Sequence, residues 1–340
     1  MLLHRSDRAR ALGCAFFLTT IFLSGCLGCS EAKEPLRAGI IGADTSHAVA
    51  FTKIFNNPKV KGPLAGVRVV AVYPGGSADI PSSRERVEEY TGQLRKMGVE
   101  ACGSIDELIG KVDVVLLESV DGRTHLEQVR PVIEAGKPVF IDKPVAASLV
   151  DAIRIYRLAK QRDVPIFSAS ALRFARAFQR MRTNPPGGKV VGCTAFSPCH
   201  LEPHHPDLFW YGVHGVETLY TIMGPGCETV TRFRTPREEV VVGQWGDGRI
   251  GTFRGLHDGL NYGAVVFGSR GVRYSDRFEG YAPLVVEIAQ FFSSGKPPVS
   301  AEETLEMFAF MEAADESKRQ GGKPVSVREV MEKGEKEAGE

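Results

Sequence analysis

Residues 137–144 read Lys-Pro-Val-Phe-Ile-Asp-Lys-Pro, and this stretch decides the fold. The apolar run at residues 139–141 predicts a buried strand that ends on an acid and a lysine. In open α/β sheets, ligands bind at the carboxyl ends of the strands. Lys143 is therefore either a ligand-binding or proton-transferring lysine at such an end, or a solvated lysine in a surface loop.

Apolar runs alternate with amphipathic stretches on both sides of this strand, from residue 36 to residue 168. The predicted strands are residues 37–42, 67–73, 112–117, 139–141 and 164–167, and the predicted helices are residues 82–97, 124–135 and 149–161. Near-continuous apolar strands that alternate with helices indicate a parallel sheet covered on both faces. Because crossovers between parallel strands are right-handed, we expect a Rossmann-type doubly wound sheet.

The pattern changes after residue 170. Residues 190–196, 240–253 and 264–274 predict strands, and residues 284–293 and 302–319 predict amphipathic helices. We therefore expect a Rossmann-type dinucleotide-binding domain over residues 36–170. A C-terminal α+β domain with an open, mostly antiparallel sheet should follow over residues 171–330, and residues 331–340 should form a frayed, charged tail.

The first 25 residues have the pattern of a secretion signal. Arg5, Arg8 and Arg10 precede an apolar stretch over residues 11–23, which is too short to span a membrane. Residues 23–26 read Leu-Ser-Gly-Cys, which resembles a bacterial lipoprotein signal with Cys26 as the lipidated residue. Ordinary secretion with cleavage nearby is the alternative. Residues 26–35 would then be a tether, and the lipid anchor would be the only membrane contact of a cell-envelope protein.

Composition excludes several classes of protein. Without residues 1–25, the 42 Lys and Arg fall to 39 and the 41 Asp and Glu fall to 40, so the net charge is −1. No basic stripe is present, and we expect no nucleic acid partner. Five of the seven cysteines then remain once Cys14 is removed and Cys26 is lipidated, and their spacing indicates no disulfide framework, although Cys193 and Cys199 would be able to pair.

The turn after the first strand lies where a phosphate-binding loop belongs. Gly42 suits the tight turn of the Gly-x-Gly-x-x-Gly pattern, but the second and third glycines fall on Asp44 and His47. Asp44 would also place negative charge beside a phosphate. Alternatively, Asp44, Thr45 or Ser46 caps the following helix, and His47 then faces the cleft.

The second strand is not followed by the acid that usually binds a ribose hydroxyl. The chain reads Tyr-Pro-Gly-Gly-Ser at residues 73–77. Without that acid, a 2′-phosphate would be tolerated, with Ser77 and Arg84 as its candidate contacts. The sequence therefore leaves NAD and NADP as open alternatives.

Several motifs together resemble the Gfo/Idh/MocA oxidoreductases over residues 36–330. They are His125, the run Ala-Gly-Lys-Pro-Val-Phe-Ile-Asp-Lys-Pro at residues 135–144 with Asp142 in place of the usual Glu, Arg173-Phe174, Gly-Val-His at residues 212–214, and the helical segments at residues 294–299 and 310–314. The resemblance implies tightly bound NAD or NADP, a sugar, glycoside or cyclitol substrate, and a homo-oligomer formed through the C-terminal sheet.

Roles for individual residues also follow from the resemblance. Lys143 would orient and polarise the substrate, and His214 would be the catalytic acid/base. The implied cofactor-binding residues are Gly42, Asp44, Thr45, Ser46, His47, Ser119, His125, Asp142 and Lys143. Trp210 stands where the family often has an Asp, four residues before the histidine. That departure puts the usual acid/base relay in doubt.

Residues 199–207 form a segment rich in cysteine, histidine and acids, followed by Trp210 and Tyr211. Its spacing matches no zinc template, so we predict no metal site. The favoured interpretation is a sugar pocket, and the alternative is an aromatic-packed loop with solvated histidines. The predicted substrate-binding residues are Arg173, His204, His205, Asp207, Trp210 and Tyr211. Glu217 either orients His214 or is an ordinary helix residue.

The leading expectation is an NAD(P)-dependent oxidoreductase that acts on a sugar, glycoside or cyclitol hydroxyl with a retained cofactor. Free nicotinamide nucleotides are scarce outside the cytoplasm, which raises a second expectation. In that one, a glycoside is cleaved through a keto-sugar intermediate without net redox change. A third is a carbohydrate-binding protein on a Rossmann-like scaffold that has no catalytic activity.

Overall fold

The computed structural model describes residues 34–259 and 261–340. The signal segment and Cys26 lie outside this part of the chain. Residues 34–340 form one compact unit that contains two sheets. Within the described residues, no helix combines the length and apolar character that crossing a bilayer requires.

The first sheet is entirely parallel and confirms the predicted doubly wound fold. Its six strands follow the order β3-β2-β1-β4-β5-β6. They are β1 (Leu36–Ile41), β2 (Val67–Tyr73), β3 (Glu100–Ala101), β4 (Val114–Leu117), β5 (Val139–Asp142) and β6 (Ile166–Ala169). The strand order reverses direction between β1 and β4. Ligands bind outside the carboxyl ends of the strands at such a switch point.

Helices cover both faces of this sheet. These helices are α1 (Ser46–Phe55), α2 (Pro81–Lys96), α3 (Ile105–Ile109), α4 (His125–Glu134) and α5 (Leu149–Gln161), and the next helix, α6 (Arg176–Thr183), packs on the second half of the chain. The helices α3 and α5 each begin at a serine, Ser104 and Ser148, whose hydroxyl accepts the amide three residues later. Such caps satisfy a backbone donor that would otherwise be left free at the helix start.

The second sheet is mixed and mostly antiparallel, as predicted. Its strands are β7 (Val190–Pro198), β8 (Cys227–Arg234), β9 (Glu238–Trp245), β10 (Ile250–Leu256), β11 (Gly263–Gly268), β12 (Gly271–Ser275) and β13 (Val325–Ser326), in the order β12-β11-β7-β10-β9-β8-β13. Only the central β7–β10 pair is parallel. Helices α7 (Val213–Met223) and α9 (Ala301–Arg319) cover one face of it.

The chain returns to the first sheet after it has built the second. Helix α8 (Ala282–Ser294) packs on α1, and the Phe291 ring lies 4.8 Å from that of Phe167 on β6. The predicted domain boundary at residue 170 therefore stays a prediction. Helix α8 comes after this boundary, and yet it packs on the first sheet. The frayed tail predicted for residues 331–340 is wrong. Helix α10 (Val327–Glu337) runs through most of it and packs on α5 and α9.

Candidate active site

Lys143 follows β5 directly and lies at the carboxyl edge of the first sheet, as predicted. Its side chain is buried, with 7% exposure. Its charge acts on three buried groups, Glu118 after β4, Asp142 at the end of β5, and His214 on α7. These elements meet because parallel strands deliver their carboxyl ends to one edge.

His214 is held by a hydrogen-bond chain that the sequence did not reveal. Its Nδ1 lies 2.8 Å from the Ser170 Oγ. The Glu217 carboxylate accepts the Ser170 amide at 2.7 Å and the Arg173 Nε at 2.6 Å. Glu217 therefore positions His214 through Ser170 rather than by direct contact. Burial, followed by the charges of Lys143 and His47, lowers the pKa of His214 well below its usual value.

Aromatic rings surround His214 on the cleft side. The Tyr211 and Tyr262 rings lie 5.1 and 5.7 Å from the imidazole, and their hydroxyl oxygens are 3.0 Å apart. Tyr281 continues this wall, with its ring 4.7 Å from that of His47. Of these three tyrosines, the sequence singled out only Tyr211. Tyr262 and Tyr281 come from segments that carry no motif.

The turn after β1 has the tight geometry expected of a phosphate-binding loop. Gly42 has a φ of 95°, and a Cβ at this position would lie 2.3 Å from the Ser119 amide nitrogen. Thr45 is the N-cap of α1 and its hydroxyl accepts the His47 amide, while Ser46 is exposed on the first turn. The capping alternative therefore holds for Thr45.

Asp44 does not point at open phosphate space. Its carboxylate is fully buried and accepts the Ser83 hydroxyl at 2.7 Å and the Val120 amide at 3.1 Å. These contacts join the start of α2 to the loop after β4. The prediction that Asp44 contacts a cofactor is therefore wrong in this conformation, because both of its oxygens are already engaged by the protein.

A second set of contacts joins the loops that follow β2 and β4. The Ser77 hydroxyl donates to Asp121 at 2.6 Å, and Arg123 pairs with both Asp121 and Asp79. We call these four residues the latch. The latch therefore ties the loop after β2 to the loop after β4.

His47 and His125, both predicted to bind cofactor, have different surroundings. The His47 Nδ1 lies 2.7 Å from the Asp142 carboxylate, and the ring stacks on Phe51. His125 is fully buried, and its two ring nitrogens lie 2.7 Å from the Ser119 carbonyl oxygen and 3.3 Å from that of Val145. His125 ties two backbone loops together, so its prediction as a direct cofactor ligand is wrong. The buried Ser119 Oγ has no protein partner and stays a candidate contact.

Three of the predicted substrate-binding residues are paired with other side chains of the protein. Asp207 pairs with Arg232 and Lys318, because the buried Arg232 guanidinium requires carboxylate partners. Arg173 is buried and pairs with two carboxylates, those of Glu217 and Glu303. His204 is exposed and lies 2.9 Å from a Glu202 oxygen.

The remaining predicted substrate residues lie closer to the cleft. His205 is buried, its ring lies 5.2 Å from the tilted ring of Trp210, and its Nε2 has no protein partner. Tyr211 contacts His214 as described above. The structure therefore brings Lys143, His214, Tyr211 and the His205–Trp210 pair to one side of the sheet edge. It pairs Arg173, His204 and Asp207 with other side chains of the protein instead.

Comparisons with known proteins agree with this architecture. Residues 36–170 match the family model of the Gfo/Idh/MocA oxidoreductases, described as an NAD-binding Rossmann fold. The chain is 29% identical to inositol 2-dehydrogenase 3 of Saccharopolyspora erythraea over 192 residues, which cover 53% of this chain and 50% of the relative. It is 27% identical to myo-inositol 2-dehydrogenase of Thermotoga maritima over 219 residues, or 56% of this chain and 65% of the relative. The matches thus span about half to two thirds of these curated relatives.

Solved structures share the fold over most of the chain. Scyllo-inositol dehydrogenase from Lactobacillus casei, with bound NAD(H) and scyllo-inositol, superposes with a TM-score of 0.68 at 14% identity, over 86% of this chain and 99% of that one. GenD2 from gentamicin A biosynthesis, in complex with NAD, gives a TM-score of 0.69 at 17% identity, over 86% and 96%. The doubly wound sheet and the motifs agree with the family model, and residues 36–170 are therefore similar to the NAD-binding Rossmann domain of the Gfo/Idh/MocA oxidoreductases.

Proposed function

We propose that this protein is an NAD-dependent oxidoreductase that acts on a ring hydroxyl of a cyclitol or a related sugar. One observation carries the proposal. A lysine and a neutral, positioned histidine share the carboxyl edge of an NAD-binding Rossmann domain and face an aromatic cleft. The inositol dehydrogenases among the relatives support the substrate class.

The edge of the first sheet fits a dinucleotide at two places. Gly42 provides the close backbone turn beside the start of α1, whose free amides favour a phosphate. A cavity of about 260 Å³ lies after β2 and is lined by Gly75, Gly76, Ser77 and Arg84, among others. This cavity suits the adenosine ribose, and Arg84 makes it compatible with a 2′-phosphate as well. We propose that the latch opens when the dinucleotide binds, because Ser77 lines this cavity and is hydrogen-bonded to Asp121.

His214 is suited to move the hydroxyl proton. Ser170 engages its Nδ1, so Nε2 is the nitrogen that remains for a substrate. Since burial keeps the pKa low, the ring is neutral near pH 7 and is able to accept a proton. When bound, NAD would supply the hydride acceptor for the carbon that carries this hydroxyl.

Lys143 supplies positive charge at the same place. An alkoxide that develops on the substrate as its proton leaves would be stabilised by the ammonium group. The Tyr211 and Tyr262 rings offer flat surfaces and hydroxyl groups for one face of a cyclitol or sugar. Trp210, in place of the acid common in the family, leaves Ser170 as the hydrogen-bond partner of the His214 Nδ1.

The experiment is an assay of NADH formation with a panel of inositols, sugars and glycosides, preceded by release of any co-purified nucleotide for mass spectrometry. Lys143→Met should abolish turnover and leave the melting temperature nearly unchanged. His214→Asn should lower kcat by about 10²- to 10⁴-fold and preserve ligand binding.

The outcomes separate the three expectations. Glycoside cleavage without NADH formation, by a protein that retains NAD, would identify the redox-neutral reaction. Sugar binding without nucleotide, and without a thermal shift on adding NAD or NADP, would indicate a carbohydrate-binding protein. Full activity of His214→Asn would remove this residue from the mechanism.

We further propose that the mature chain is anchored in the cell envelope through lipid on Cys26. The support is the order of the basic residues, the apolar stretch and Leu-Ser-Gly-Cys at residues 23–26. Cys26→Ala should release the protein from the membrane fraction and abolish incorporation of labelled palmitate. Unchanged fractionation would contradict lipid anchoring.

We also propose that the outer face of the second sheet joins copies of the chain. Phe233, Ile250, Phe267, Val272 and Tyr274 are exposed there, and the strand register places them on one side. Clustered apolar side chains on an exposed sheet are typical of a protein interface. Helices α7 and α9 cover the opposite face of the sheet.

A further inference from the structure

Three buried side chains meet at the edge of the first sheet, beside the residues used above. His47 comes from the start of α1, Glu118 follows β4 and Asp142 ends β5. Their exposures are 8%, 0% and 1%. One ligand atom from each lies within 4.8 Å of the others, although the three residues are far apart in sequence.

The carboxylates of this cluster lack the partners that buried acids normally have. Both oxygens of Glu118 and the Oδ1 of Asp142 have no hydrogen-bond partner and are shielded from solvent. Other buried acids of this chain are paired, as Glu217 is with Arg173 and Glu239 is with Arg232. Because an unpaired buried charge is costly, the cluster requires a counter-charge or a proton.

Neighbouring protein groups satisfy only part of this requirement. His47 contacts one oxygen of Asp142 at 2.7 Å, and Lys143 adds favourable charge without a hydrogen bond to the three unpartnered oxygens. A proton on Glu118 would remove its charge, and burial raises the pKa of Glu118 well above its usual value. However, a protonated Glu118 would still need an acceptor for its hydroxyl, and a cation would engage an oxygen of each carboxylate together with the imidazole.

We propose that His47, Glu118 and Asp142 bind one divalent first-row transition-metal ion. Two carboxylates offset the charge of a divalent ion, and mixed oxygen and nitrogen donors suit Mn²⁺, Fe²⁺ or Zn²⁺ better than Ca²⁺. The Phe51 and Tyr281 rings pack on the imidazole and fix its orientation. Three protein ligands leave positions open for water or a substrate oxygen, as in catalytic metal sites.

The first test is metal binding by the full-length protein after treatment with a chelator. MnCl₂ and, separately, ZnCl₂ are added, stoichiometry is measured by calorimetry, and Mn²⁺ is followed by electron paramagnetic resonance. We expect one ion per chain and a chelator-reversible rise in Tm of about 5 °C at a hundredfold excess over Kd. Failure of the unmodified protein to bind either ion stoichiometrically would overturn the proposal.

Variants then assign the site. Glu118→Gln and His47→Gln should each weaken Mn²⁺ binding at least a hundredfold, and Glu306→Gln should leave it unchanged. Glu306 is a control because it lies on α9 and binds the amides of Gly226 and Cys227. Equal binding by all three variants would place the ion elsewhere and refute the assignment. The readout is binding, so it stands even if the proposed oxidoreductase activity fails.

Discussion

His214 is fixed by a neighbour that engages one of its two ring nitrogens. The Ser170 hydroxyl lies 2.8 Å from Nδ1, and the Ser170 amide is held by Glu217. The acid/base role of His214 thus depends on a serine that contacts neither cofactor nor substrate in the proposed mechanism. Sequence reasoning named His214 from a motif and missed Ser170, because the two residues are 44 positions apart.

Replacement of Ser170 by alanine tests this positioning. Loss of one hydrogen bond to the ring should lower kcat about tenfold, with little change in KM, and should alter the acid side of the pH–rate profile. Ser197→Ala is a matched control, since the hydroxyl of this buried serine donates its hydrogen bond to the Pro198 carbonyl and not to His214. Identical pH profiles for the Ser170→Ala and unmodified proteins would refute the positioning role.

His205 predicts a specific dependence of stability on pH. Burial lowers its pKa from 6.5 to about 4. The native state therefore binds fewer protons than the unfolded chain, in which histidine titrates near its usual value. The contribution of His205 to the free energy of unfolding is complete above pH 6.5 and is lost as the pH falls towards 4.

Urea unfolding at pH 7.5 and pH 4.5 measures this effect. In His205→Gln, the loss of unfolding free energy between the two pH values should be smaller by about 2 kcal/mol. The exposed neighbour His204, changed to glutamine, should leave the pH dependence unaltered. If both variants behave alike, His205 is not the buried neutral group that the structure shows.

At the scale of elements, the turn between β1 and α1 depends on a glycine for two reasons. Gly42 has a left-handed φ of 95°, and a Cβ there would meet the Ser119 backbone at 2.3 Å. Gly98 has a similar φ of 81° but nothing within 4 Å of its Cβ position. A comparison of alanine substitutions at Gly42 and Gly98 therefore separates the effect of backbone strain from that of steric exclusion.

Gly98→Ala should cost about 1–2 kcal/mol, because strain alone acts there. Gly42→Ala should cost at least about twice as much, since the loops after β1 and β4 must also move apart. Urea denaturation of both variants measures the difference. Equal losses of unfolding free energy in the two variants would show that the loop after β4 moves aside without an energetic cost.

The sequence predicted best the elements whose signal is local. The apolar runs of β2 and β5 and the periodicity of α5 were placed within a residue or two. Helix α10 was missed although Ser326 and Glu329 carry a capping signal, and the Ser326 hydroxyl accepts the Glu329 amide. Strand β8 was missed because arginine and threonine interrupt its apolar pattern.

Contacts between residues that are far apart in the sequence were not predicted from it. Asp207 looked like a pocket acid, and it is engaged by Arg232 and Lys318 from the second sheet and α9. His47 and Asp142 are 95 residues apart, and only the folded sheet edge brings them to 2.7 Å. The family motifs identified Lys143, Asp142 and His214, but nothing in the sequence singled out Glu118, which lies beside them.

At the scale of the whole molecule, the exposed face of the second sheet predicts the oligomeric state. Phe267 on β11 pairs with Val272 on β12, and both are exposed on this face. Phe267→Arg should convert the oligomer to a monomer in size-exclusion chromatography with light scattering, because a buried charge at an interface is costly. Leu201→Arg, at an exposed loop position away from the sheet, is the control. A mass equal to that of one chain in the unmodified protein would exclude this interface.

The latch between Ser77 and Asp121 should affect the rate of cofactor exchange as well as the conformation of the two loops. If the latch opens on binding as proposed, the observed association rate of a dinucleotide should level off at high concentration at the rate of loop opening. Departure needs the same motion, and a captured cofactor therefore has a long residence time without many direct contacts. Ser77→Ala should raise that plateau and shorten the residence time together in stopped-flow measurements. In the proposed cell-envelope location, slow exit would preserve a cofactor that is not readily replaced.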